Sequence, residues 1–128
     1  MTMTYLATSI NETPVITDKA GAKIEDVRGK AVKFANGAVV LAGAGDTVLG
    51  VGIMTNDVNI ETGSDVDIQI KDIGLVCAGA EIAKGAELSA GADGKFVTAT
   101  TGYVAAIALE AATAAGVYIK ARLVGYTK

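Results

Sequence analysis

The 128-residue chain contains no histidine and no tryptophan, and it has one cysteine and one proline. Without histidine it lacks the commonest general base, the Ser/His and Cys/His nucleophile pairs, and most transition-metal sites. Cys77 stands alone, so the fold must hold without an internal disulfide. No cluster of lysine and arginine occurs and the net charge is −3, which disfavours direct binding to nucleic acid through phosphate contacts. No apolar run approaches the roughly 18 residues that a membrane helix needs, so no membrane role is expected. The start of the chain, Met1-Thr2-Met3-Thr4-Tyr5, has neither the basic nor the apolar region of a signal peptide, which fits intracellular synthesis.

Aromatic residues make up only 5% of the chain, so bulky core-filling side chains are scarce. The 51% hydrophobic content is instead rich in alanine, and sixteen glycines divide it into short runs. A small, close-packed domain with many turns follows. Its modest core would gain from self-association or docking on a partner.

The local pattern is β throughout. Residues 1–16 read as an extended N-terminal arm, in which Tyr5, Leu6, Ile10, Val15 and Ile16 are spaced by polar residues and Pro14 opposes a helix. Residues 17–128 read as a single β domain. In it, Asn36-Gly37 lies between the β-prone runs 30–34 and 38–42, a strong signal for a type I′ hairpin. Gly43-Ala44-Gly45-Asp46 then turns the chain into a strand over 47–54. A second hairpin is expected where Val58 and Ile60, then Val66, Ile68 and Ile70, alternate with polar residues on either side of Thr62-Gly63-Ser64. Residues 73–78 read as a strand buried on both faces. Asp93-Gly94 marks a further hairpin, and the short alanine-rich stretches at 80–88 and 110–115 fall below the roughly 12 residues of a self-standing helix.

The second half restates the first. Val48, Val51 and Ile53 recur as Val104, Ile107 and Leu109 at an offset of 56 (104 − 48 = 56), and residues 116–124 correspond to 64–76 after a short deletion. The expected architecture is all-β: a small barrel or sandwich built from two degenerate repeats, about 30–78 and 86–125, with little helix and an extended arm.

Candidate chemical sites are few. Cys77 lies in Gly-Leu-Val-Cys-Ala-Gly with no charged neighbour, as a buried structural residue would. Gly43-Ala44-Gly45 begins like a phosphate loop, but Val48 occupies the third glycine position and a strand follows. Asp57, Glu61 and Asp65 form the one weak cation candidate. The calcium-loop pattern fails there, because Gly63 comes one residue late and Ile68 stands where the bidentate glutamate belongs. No catalytic residue and no cofactor is expected, and the surfaces of the module are the best candidates for its function.

Residues 74–124 run from Gly74-Leu75-Val76-Cys77 through Ile82-Ala83-Lys84-Gly85 and Asp93-Gly94-Lys95-Phe96 to Leu109-Glu110 and Val117-Tyr118-Ile119-Lys120-Ala121-Arg122-Leu123-Val124. This order resembles the small cement or decoration proteins of tailed-phage capsids, the DUF2190-like family. Ala106 departs from the usual glycine of that pattern, and the arm is longer than usual. The resemblance implies a structural virion protein on the capsid exterior, with the major capsid protein as partner, a homotrimeric state and no enzymatic activity. The arm's contacts cannot be carried over from that pattern; because an extended arm can add a strand to a neighbouring sheet, capsid or subunit contact is expected at Tyr5, Leu6, Ile10, Pro14, Val15 and Ile16, with completion of the chain's own barrel as the alternative. Two alternatives stay open: a binding module similar to the biotinyl/lipoyl β-sandwiches, on the spacing from Gly79 to Leu88, and a small ligand- or cation-binding β-barrel. The first lacks the Met-Lys-Met or Asp-Lys-Ala tripeptide of true carriers.

Overall fold

A computed structural model describes residues 14–128. Two five-stranded antiparallel sheets dominate it, and one turn of 3-10 helix, Ala92–Gly94, is the only helical element among the described residues. The first sheet contains β1 (Val15–Lys19), β3 (Ala31–Ala35), β4 (Ala38–Leu41), β5 (Gly50–Gly52) and β7 (Asp65–Gln69), in the order β1-β7-β5-β3-β4. The second contains β8 (Ile73–Cys77), β9 (Glu87–Ala90), β10 (Phe96–Thr98), β11 (Tyr103–Ala108) and β12 (Tyr118–Thr127), in the order β10-β9-β11-β12-β8. A two-stranded ribbon joins β2 (Ile24–Glu25) to β6 (Asn59–Ile60).

Each sheet curls until its outer strands touch at a single parallel bridge, Ala20 with Val39 in the first and Ala78 with Phe96 in the second. One bridge is not a full ladder, so neither sheet is a closed barrel, and the molecule is sandwich-like. The expected all-β class is correct.

The two sheets repeat one hydrogen-bond plan. The amide of Ala20 donates to Ser64 O and Gly63 N donates to Ala20 O; in the second sheet Ala78 N donates to Val117 O and Gly116 N to Ala78 O. Gly29 N donates to Gly52 O and Gly52 N to Lys30 O, just as Gly85 N donates to Ala108 O and Ala108 N to Ala86 O. The units so defined span 15–70 and 73–128. The sequence placed residues 73–78 at the end of the first repeat, whereas β8 opens the second and occupies the place that β1 holds in the first.

Local chemistry explains the hairpins. Asn36 (φ 52°) and Gly37 (φ 78°) provide the two positive φ values of a type I′ turn, and Ala35 pairs with Ala38 across it. Asp93 and Gly94 likewise turn the chain between β9 and β10, with Gly91 N donating to Lys95 O. The second expected hairpin does not form. Asn59–Ile60 pairs with Ile24–Glu25, because β7 already has β1 on one edge and β5 on the other. The strand expected over 47–54 contracts to Gly50–Gly52.

Two apolar clusters fill the interior. Ile24, Val27, Val32, Val39, Ile60, Val66 and Ile68 form the core of the first unit, with Ile16 packed against it. The second core combines Val76, Ile82, Leu88, Phe96 and Ile119 with Ala31, Val48 and Val51 from the first sheet. Alternate residues of β3 therefore serve two cores: Val32 faces its own unit and Ala31 faces the other. That shared core, reinforced by the bonds Cys77 N to Gly29 O (2.7 Å) and Gly45 N to Ala90 O (3.0 Å), holds the units together.

Candidate interaction surface

The residues singled out from the sequence are scattered. Asp65 pairs with Lys19 at 2.6 Å across the β1/β7 ladder, and Glu61 closes a turn through its carbonyl, which accepts from Ser64 N. Asp57, Glu61 and Asp65 make no joint site, and among the described residues no group of three or more Asp, Glu, Cys or His side chains could hold a metal ion. Asp67, also on β7, accepts from Thr17 Oγ1 at 2.5 Å, so β1 meets part of the acidic face. Lys84, in the segment compared with carrier domains, lies exposed in a turn between Ala83 and Gly85.

Part of the arm lies within the described residues. Val15 and Ile16 are half-buried in β1, where they pair with Gln69 and Ile68 of the same chain, and Pro14 O accepts from Ile70 N at 2.8 Å. These three residues are engaged inside their own domain. Tyr5, Leu6 and Ile10 lie outside the described residues.

The titratable groups are arranged for stability. Arg28 donates from Nε and Nη2 to Asp26, and this hydrogen bond, more than the nearby charge of Lys30, holds the Asp26 carboxyl below its ordinary range. Lys33 donates to Asp46 at 2.7 Å and Gly43 N donates to the same oxygen, which lowers the Asp46 pKa. Glu87 accepts from Tyr126 and Lys128; the tyrosine contributes most to lowering its pKa, and the carboxylate in turn raises that of Tyr126. Burial pushes the Tyr118 hydroxyl up, and it donates to Arg28 O. A general acid at neutral pH needs a raised carboxyl pKa, and among the described residues every carboxyl with a clear shift moves the other way.

The most distinctive surface lies where the two sheets meet. Ile53 and Met54 after β5, Ile73 and Leu75 on β8, Gln69 and Lys120 line an open groove of about 400 Å³. Met54, Ile73 and Leu75 are exposed at 40%, 58% and 41%, far more than the core residues Val66 and Val76 on either side of the junction. The strand 73–78 was expected to be buried on both faces. Instead Gly74, Val76 and Ala78 point inward, and Ile73 and Leu75 face solvent because, among the described residues, no layer covers them. Gln69 Nε2 donates to both Lys71 O and Ile73 O at 2.8 Å, so one side chain pins the crossover between the units. The apolar alternation at Ile73 and Leu75 signalled a strand, but nothing in the sequence distinguished an uncovered face from a buried one.

No family model matches the chain, so the resemblance to the DUF2190-like cement proteins finds no support there. No curated protein matches it either. Among solved structures, the chain is similar in fold to the N base of head fiber gp8.5 in bacteriophage phi29, with a TM-score of 0.65, 20% identity, and coverage of 86% of this chain and 92% of that one.

Proposed function

We propose that this chain is a structural protein of a tailed-phage virion, bound to the outside of the head through the major capsid protein and stabilising the shell. The observation that carries this reading is the fold shared, over most of both chains, with a head fiber base. The sequence order of residues 74–124 points the same way, as does a described surface whose shifted carboxylates are committed to ion pairs and hydrogen bonds. The module then acts by contact and not by catalysis. A head shell repeats one binding surface many times, so modest contacts made by an oligomer gain strongly from multivalency. A homotrimer is the state we propose.

Co-sedimentation of the purified chain with expanded empty heads of its phage tests the proposal. Saturable, stoichiometric binding is expected, and a chain that stays in the supernatant at all concentrations overturns it. The solution mass, expected at three times 12.9 kDa, tests the trimer separately.

A further inference from the structure

The outer face of the second sheet matches a face of the first sheet that is already covered. Residues directly opposite one another in a ladder share a face, so Ile73, Arg122, Ile107 and Glu87 form one row across β8, β12, β11 and β9. Leu75 and Lys120 form the next row. Ile73 and Leu75 are exposed, Ile107 is half-buried, and the cations Arg122 and Lys120 stand between these apolar side chains. Glu87 is occupied by Tyr126 and Lys128. The Arg122 guanidinium has no carboxylate partner among the described residues. An arginine set among apolar side chains is a common anchor of protein interfaces.

In the first unit, Val51 stands where Ile107 does and Gln69 where Arg122 does. Gly52 and Ala108 hold matching positions, and Val51 pairs with Gln69 as Ile107 pairs with Arg122. The second unit covers that row within the same chain. Val51 is 2% exposed and belongs to the second core, Gln69 donates to Ile73 O, and Cys77 N donates to Gly29 O. The covering strand is β8, which holds in its unit the place of β1. Among the described residues nothing covers the matching row of the second unit. The side-chain charges of the units also differ in sign. Residues 15–70 carry eight Asp and Glu against five Lys and Arg, a net −3, and residues 73–128 carry four against five, a net +1.

We propose that the row of Ile73, Arg122 and Ile107 is the docking site for the first unit of a second copy of this chain, with that copy's β1 in the place that β8 takes within one chain. Charge selects this head-to-tail pairing, since it joins the negative unit to the positive one and like units repel. The repeat also names the contact. Within one chain Gln69 and Lys120 line the same groove. Arg122 holds the place of Gln69, and Asp67 that of Lys120, because Ile68 pairs with Gly52 as Ala121 pairs with Ala108. The same docking between copies brings Asp67 of one to Arg122 of the next. A head-to-tail contact uses two different surfaces and closes into a ring where the rotation permits. The contact thus rests on the homotrimer proposed above and adds which surfaces meet in it.

Sedimentation velocity of charge-reversal variants tests this. The parent chain is expected as a trimer. Arg122→Asp and Asp67→Arg should each weaken self-association at least ~10-fold, and the chain that carries both should recover it. Phe34→Ser, a change of an exposed apolar residue on β3, should leave the mass unchanged. Should a variant fail to fold, carbodiimide coupling of the parent chain, mixed from isotope-labelled and unlabelled protein, replaces it. Lys120 of one copy is then expected to join Asp67 of another. A parent trimer whose mass Arg122→Asp leaves unchanged overturns this contact and leaves the trimer standing, and a parent monomer at all concentrations overturns both. Links between copies that join only second unit to second unit also overturn the contact.

Discussion

Replacing Gly52 by alanine should destabilise the protein far more than the loss of one hydrogen atom suggests. A Cβ at Gly52 would lie 2.2 Å from Val27 O and 2.8 Å from Val27 Cγ2. The first contact is with backbone, which cannot rotate away. The loop at Val27 is itself held by Lys30 N donating to Val27 O, and by the bonds linking Gly52 to Gly29 and Lys30. Overpacking a rigid core typically costs about 1–3 kcal/mol, and a clash against fixed backbone belongs at the upper end. About 3 kcal/mol in a domain of this size corresponds to a fall in Tm of roughly 10 °C. The second unit provides an internal control. Ala108 holds the same hydrogen-bonding position there, between Gly85 and Ala86, and its methyl group is buried. Ala108→Gly should therefore cost only the roughly 0.5–1 kcal/mol of added chain entropy. Urea unfolding of both variants checks the contrast. If Gly52→Ala stays within about 0.5 kcal/mol of the parent protein, the close approach is not a constraint and the reasoning fails.

Three further outcomes follow from the packing. Phe96→Ala empties the largest fully buried side chain and should cost about 3–5 kcal/mol in chemical denaturation. Asp46 has a folded pKa below its ordinary 3.8, so its charged form favours the fold. Its contribution is complete above the unfolded value and is lost as the pH falls through the folded one, so Asp46→Asn should flatten the decline in Tm on acidification below about pH 4. The Lys33–Asp46 pair is half-buried and still reached by solvent, so added salt should shrink the difference between the two proteins. Cys77 is 4% exposed, so a thiol reagent should label it at the rate of unfolding and not on mixing. Rapid labelling of the native protein would place the thiol at the surface.

Much of the local structure was determined by the sequence alone. Asn36-Gly37 and Asp93-Gly94 need positive φ values that few other pairs tolerate, and both sit at turns between paired strands. Strict alternation at Val66 and Ile68 placed both in the core, because side-chain direction along a strand has period two. The lack of helix followed from glycine spacing and short alanine runs. Partner choice was another matter. Alternation assigns a residue to a face but says nothing about which backbone lies alongside, since ladder bonds join atoms common to every residue. So β6 left its expected hairpin for β2, and β8 passed from the end of the first unit to the start of the second. The candidate groove also required the tertiary structure. Ile73 and Leu75 read as buried because they are apolar, and burial depends on whether another layer packs there. Among the described residues none does, and Gln69, a polar residue unremarked in its strand, fixes the crossover that leaves this face open.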